Sequence, residues 1–216
     1  MSRRTKVSNR SSSSKQWILR QSKDIYSRRA RNQGHVSRAY YKIEEIDKRS
    51  RLITKDSWVL ELGAAPGGWT SYIESKMQLS GSQGKLIACD SKPIQAGDRT
   101  HVVQGWFGDS KTVSDIEEIL GPDKLDLVLS DMAPNITGIR VADQAASLEL
   151  VDLATVAAEK WLRQGGSILV KAFQGEGFES FVRDIKNDYS TVQVIKPKSS
   201  RAESREIYVL ARQFRG

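Results

Sequence analysis

Three carboxylates stand where apolar runs end. Asp90 follows Lys85-Leu86-Ile87-Ala88-Cys89, Asp109 follows Trp106-Phe107-Gly108, and Asp131 follows Leu125-Asp126-Leu127-Val128-Leu129-Ser130. Lys171 lies inside Ile168–Phe173, and Glu206 opens the run through Ile207 to Ala211. A further run, Val59-Leu60-Glu61-Leu62, leads into Gly63-Ala64-Ala65-Pro66-Gly67-Gly68-Trp69-Thr70. Glycines let a backbone approach a bound nucleoside where a Cβ would collide. One carboxylate can accept from both hydroxyls of a ribose, and an acid roughly 20 residues after a glycine turn commonly does so. Asp90 is placed for that contact, and Asp109 for accepting from an adenine amino group.

The turn narrows the ligand. The dinucleotide pattern G-x-G-x-x-G is absent, as is the G-K-[ST] ending of a phosphate-gripping loop. A glycine turn without phosphate chemistry suits S-adenosylmethionine, a cationic nucleoside, and disfavours a nicotinamide oxidoreductase. A single strand-end acid is usually a solvated turn residue or a helix cap; three in register with a glycine turn point to a site. Lys171 has two readings. Burial within its apolar run demands a partner, whereas a strand lysine can also snorkel to solvent at a sheet edge.

Ligands of open α/β sheets bind beyond the carboxyl ends of strands, so the elements that hold these residues follow. Strands are expected at 58–63, 85–90, 102–107, 125–131, 167–173, 192–195 and 207–211, with helices near 69–78, 113–120, 144–162 and 177–187. The continuous apolar run at 125–129 indicates a strand buried on both faces of a parallel sheet. Gly165-Gly166 is expected to end the long helix. The last two strands lie close together with no helix between them and so pair antiparallel. The expectation is a Rossmann-like sheet of about seven strands, one of them antiparallel, with helices on both faces. Upstream, residues 37–50 read as a helix with Ser37 as N-cap. Its stripe of Tyr40, Ile43 and Ile46 suits core packing and leaves Lys42 as the site candidate.

The chain has 216 residues, a net charge of +8, 28% charged and 38% hydrophobic residues. This is the balance of a globular protein. No apolar run reaches the roughly 18 residues of a membrane helix. With Cys89 as the single cysteine and His35 and His101 as the only histidines, neither a disulfide framework nor a Cys- or His-based metal site is expected. A reducing, cytoplasmic setting fits. Residues 1–42 hold 12 of the Lys and Arg residues against Asp24 alone, leaving the remainder net negative. A concentrated basic arm points to a polyanion partner. Trp17, Tyr26, Tyr40 and Tyr41 among those charges suggest base stacking. Residues 1–23 also share the Arg- and Ser-rich, acid-poor make-up of organelle transit peptides, but the basic pattern continues to Lys42. The expected division is a disordered basic tail at 1–14, a basic helical RNA-binding segment at 15–50 and a catalytic domain at 51–216.

Four motifs, in order, carry a resemblance. They are Leu62–Trp69, Ser130-Asp131-Met132-Ala133-Pro134-Asn135, Val170-Lys171-Ala172-Phe173-Gln174-Gly175-Glu176-Gly177-Phe178, and Lys196–Arg201 continued by Ser204-Arg205-Glu206-Ile207-Tyr208. From about Trp17 onward the chain resembles the FtsJ/RlmE family of ribosomal RNA 2′-O-ribose methyltransferases. The resemblance implies methyl transfer from S-adenosylmethionine to a ribose, with a uridine of 23S RNA in the large ribosomal subunit as substrate and a monomeric enzyme. It places the family's Lys-Asp-Lys-Glu tetrad on Lys42, Asp131, Lys171 and Glu206. Lys171 is then expected to take the hydroxyl proton, Asp131 to orient it and touch the cofactor, and Glu206 and Lys42 to fix the ribose. Gly63, Gly67 and Trp69 are expected at the amino-acid end of the cofactor. Glu61 stands where the family more often has Asp. Transfer RNA or a messenger cap is the rival substrate, and a non-catalytic RNA-binding assembly factor the rival class.

Overall fold

The computed structural model describes residues 24–78, 81–201 and 203–216. The apolar runs form seven strands: β1 (Trp58–Leu62), β2 (Lys85–Asp90), β3 (Thr100–Gln104), β4 (Leu125–Ser130), β5 (Leu162–Phe173), β6 (Tyr189–Ile195) and β7 (Glu206–Phe214). The helices among the described residues are α1 (Ile25–Asn32), α2 (Tyr40–Ser50), α3 (Gly68–Met77), α4 (Ser110–Leu120), α5 (Arg140–Trp161) and α6 (Phe178–Asp188). One sheet has the order β3-β2-β1-β4-β5-β7-β6. β3, β2, β1, β4 and β5 run parallel, and β7 is antiparallel to both of its neighbours. The strand order reverses between β1 and β4, where an open sheet of this kind forms its ligand crevice.

Alternation along each strand builds two cores. Leu60 and Leu62 of β1, Val128 of β4, Ile168 and Val170 of β5 and Ile207 of β7 face α4, α5 and α6. Val59, Leu127, Leu129, Leu169 and Tyr208 face the other side, with Ile43 and Ile46 of α2 and Trp69, Tyr72 and Ile73 of α3. The stripe on α2 is therefore core, as its spacing suggests. The same parity puts Lys171 on the α2/α3 face, two residues beyond Leu169, while Tyr208 of β7 stands opposite it in register. Asp47 ties α2 into this layer by accepting from the Leu52 and Ile53 amides at 2.8 and 2.9 Å and from the Tyr72 hydroxyl at 2.7 Å.

Four local expectations change. The long helix stops at Trp161 and passes directly into β5, so Gly165-Gly166 lies within the strand. The pairing of β5 with β4 jumps from Leu125↔Leu162 to Leu127↔Ser167, and Gly165 takes a positive φ of 79° inside that bulge. Here the glycines mark a strand irregularity rather than a helix stop. β3 ends at Gln104, three residues before Phe107, because the chain turns at Gly105, whose amide donates to the Asp90 carbonyl. α2 begins at Tyr40; Ser37 caps the preceding turn, its hydroxyl accepting from the Ala39 amide at 3.2 Å. The described part of the basic segment expected at 15–50 is two helices, α1 and α2, and residues 1–23 lie outside the described residues.

Candidate active site

The turn after β1 reverses the chain at the sheet's carboxyl edge. Gly63 has φ +75°, and a Cβ there would lie 2.7 Å from the Met132 amide nitrogen. Only glycine lets β1 and the loop after β4 come this close. Gly67 has φ +112°, and its Cβ would lie 2.1 Å from the Gln95 carbonyl oxygen. Both glycines are dictated by backbone contact within the protein. Only Gly63 also borders the cavity at this edge, which has a volume of about 540 Å³ and is bounded by the ends of β1, β2, β3 and β4 and by α5.

Asp90 lines this cavity. Its carboxylate accepts from the Ala65 amide at 3.0 Å and the Lys92 amide at 2.9 Å, which fixes its orientation beside the glycine turn. Asp131 lines the cavity as well, and it also belongs to a second constellation. Its Oδ1 accepts from the Tyr208 hydroxyl at 2.7 Å and lies 3.1 Å from Lys171 Nζ. Lys171 also donates to the Asp131 carbonyl. Burial opposes ionisation of Asp131, but the charges of Lys171 and Lys42 and the Tyr208 hydroxyl outweigh it and hold the carboxyl below its ordinary value. Burial, reinforced by the adjacent Asp131 charge, raises the Tyr208 phenol well above its own ordinary value, so it stays a donor.

The four residues of the expected tetrad come from four separate segments and form two ion pairs. Lys42 Nζ of α2 lies 2.8 Å from each carboxylate oxygen of Glu206 on β7. Ser200 donates to Glu206 Oε1 at 2.8 Å. Lys171 is 7% exposed, so the reading in which it snorkels at an edge does not hold; it is a central-strand lysine buried against Asp131. Lys42, Lys171 and Glu206 stand behind Asp131 rather than on the cavity wall.

Three expected contacts are not brought to this cavity. Trp69 is 2% exposed and packs in the α2/α3 core, its ring 5.7 Å from that of Tyr208. The position after a turn does not say which way the first helical residue faces, and here it faces inward. Gly67 is spent on the Gln95 contact. Asp109 is exposed at the N-cap of α4, displaced there by the early end of β3. Of the aromatics expected to stack on bases, Tyr41 is buried at 3% exposure, Tyr40 stacks on His35, and Tyr26 packs against Tyr41. Trp17 lies outside the described residues.

One residue of the site, Tyr208, is not among those expected from the sequence. Its place two residues after Glu206, on the same strand face, is the signal in the sequence that marks it. Glu61 is 1% exposed and takes the Thr70 hydroxyl at 2.8 Å on one oxygen, while its Oε1 has no hydrogen-bond partner. Burial pushes this carboxyl up to about 8, so it is protonated at neutral pH. Among the described residues no group of His, Cys, Asp or Glu is placed to hold a metal ion, and no helix is long and apolar enough to cross a membrane.

A mixed sheet of this order, with a glycine turn and an acid-lined cavity at its switch point, is the fold of an α/β methyltransferase. The FtsJ-like methyltransferase family profile matches residues 35–214, and the chain belongs to that family. It is 42% identical over 206 residues to the ribosomal RNA large subunit methyltransferase E of Dichelobacter nodosus, covering 95% of this chain and 97% of that protein. Among solved structures, a ribosomal RNA methyltransferase of Plasmodium falciparum superposes with a TM-score of 0.75 at 29% identity, covering 83% of this chain and 98% of the other. MycE methyltransferase from the mycinamycin pathway, solved with SAH, shares the fold at 14% identity and a TM-score of 0.53, covering 82% of this chain and 47% of the other.

Proposed function

We propose that the protein methylates a ribose 2′-hydroxyl of large-subunit ribosomal RNA, using S-adenosylmethionine. The observation that carries this reading is the double placement of Asp131, which borders the cavity while accepting from Lys171 and Tyr208 behind it. The cavity chemistry fits the cofactor. Its lining holds three acids, Asp90, Asp131 and Glu149, against one cation, Lys92, with apolar walls from Phe107, Met132, Pro134 and Leu150. Such a surface favours a cationic nucleoside and offers no cradle for phosphates. The name of the Dichelobacter relative supports ribosomal RNA as the substrate, and the family resemblance supports a uridine in 23S RNA within the large subunit.

When bound, S-adenosylmethionine supplies an activated sulfonium methyl group. The chain's own task is to place one hydroxyl in line and remove its proton; positioning of this kind is worth about 7–11 kcal/mol in favourable cases. Asp131, ionised and held by two donors, fixes Lys171. Lys171 is the residue assigned to take the hydroxyl proton. Lys42 and Glu206, joined to each other and to Ser200, hold the ribose and its neighbouring phosphate.

Single-turnover methylation of large-subunit particles, with RNA binding assayed separately, tests the roles. Lys171→Ala is expected to lower turnover at least about a hundredfold, in line with loss of a general base, with RNA affinity kept. Lys171→Arg, which preserves charge but takes no proton, is expected to fall as far. Near-normal turnover of the alanine variant overturns the assignment. Mapping the methylated nucleotide in particles, transfer RNA and capped RNA offered in parallel tests the substrate.

A further inference from the structure

We propose that Trp106 forms the adenine-stacking wall of the cofactor cavity in this chain, and that it, not Asp109, holds the base. The inference rests on the cofactor reading above and adds the recognition of the base to it. Across the sheet, the cavity residues at the strand ends run Asp131 after β4, Gly63 after β1, Asp90 at the end of β2 and Trp106 after β3. Strands are spaced by about 4.8 Å, so this row spans three steps, or roughly 14 Å. A ligand with its reacting end beside Asp131 and its ribose beside Asp90 brings its base to Trp106.

The residue is suited to that place. Trp58, Trp69 and Trp161 are half-buried or buried, whereas Trp106 is 44% exposed, the one exposed tryptophan among the described residues. Exposing an indole at a cavity mouth is costly without a partner. Gly108 supports the arrangement: a Cβ there would lie 2.3 Å from Trp106 Nε1, so the absence of a side chain leaves room for the indole across the turn. The one aromatic ring beside it on the cavity wall, Phe107, is 6% exposed and packs edge-on against Trp161. An indole accepts no hydrogen bond, so it holds the base through its face. Asp109 is outside the cavity lining, at the N-cap of α4.

Calorimetry with S-adenosylhomocysteine on the full chain tests this without turnover. Trp106→Ala is expected to weaken binding roughly tenfold, the scale of one base–aromatic stack. Trp106→Phe is expected to restore affinity to within about threefold, and Asp109→Ala to leave it unchanged. Ligand binding is also expected to change the tryptophan emission of the native protein and not that of Trp106→Phe. An affinity of Trp106→Ala within twofold of native, or an equal loss in Asp109→Ala, overturns the inference while leaving the cofactor reading intact. No binding to the native protein overturns the cofactor reading itself.

Discussion

Lys171 and Tyr208 oppose each other directly on β5 and β7, and their polar ends meet on the same oxygen of Asp131. Opposed residues of an antiparallel pair share one face of the sheet at close range. Both therefore emerge on the α2/α3 side, while Asp131 also borders the cavity reached from the α5 side. The carboxylate is the sole member of the tetrad that touches both spaces. Under the proposed function, this arrangement has one ionised group serving both the cofactor and the proton-accepting lysine.

Replacing Tyr208 by Phe removes one donor from Asp131 and keeps the ring. A hydrogen bond to a charged group is worth about 1.5–3 kcal/mol, so single-turnover methylation is expected to fall roughly tenfold or more. With that donor gone, the Asp131 carboxyl rises toward its ordinary value. The acid limb of the pH–turnover profile then moves to higher pH than in the native protein. An unchanged limb means that the hydroxyl does not act through Asp131.

Glu61 gives a second prediction, with the opposite sign to Asp131. Its folded carboxyl is raised from 4.5 to about 8 by burial. Between those values the folded protein keeps a proton that the unfolded chain releases, so stability declines as pH rises through the window. The slope contributed is on the order of 1.4 kcal/mol per pH unit. Glu61→Gln keeps the shape and the acceptor for Thr70 without a titrating proton. Urea unfolding at pH 5, 7 and 9 is expected to show the variant gaining on the native protein as pH rises. Parallel curves would mean that Glu61 is ionised in the folded state.

The sheet was legible because buried parallel strands read as uninterrupted apolar runs, as in Leu125–Ser130, and because polar residues at their ends break those runs at the edge where ligands bind. Asp90 and Asp131 lie at such run ends and line the cavity, whereas Lys171 sits inside its run and is marked by the resemblance. Trp69 and Asp109 lie off the cavity for local reasons. Which face of α3 turns inward depends on packing against Tyr208, 139 positions later in the chain. Where β3 ends depends on Gly105, whose missing side chain makes room for Thr112: a Cβ there would lie 2.1 Å from its hydroxyl. Both are tertiary contacts that no spacing rule encodes. The partnership of Lys42 with Glu206 crosses 164 positions and was visible only through resemblance to a family.

That ion pair carries the last prediction. Lys42 and Glu206 side chains are 11% and 14% exposed, and the ammonium lies 5.8 Å from the Tyr208 ring centroid. Breaking a wholly buried pair costs about 3–5 kcal/mol; the residual exposure and the Ser200 hydroxyl on Glu206 reduce this to roughly 1–2 kcal/mol for Glu206→Gln. Lys42→Met removes the charge and keeps much of the buried stem. If the two residues hold the ribose as one unit, turnover losses in Lys42→Met and Glu206→Gln are strongly non-additive, and the double variant falls little below the worse single one. A phosphate contact by Lys42 adds a distinct signature, a shallower salt dependence of RNA binding in Lys42→Met than in Glu206→Gln. Additive turnover losses with identical salt slopes would mean that the two residues act independently and that Lys42 touches no phosphate.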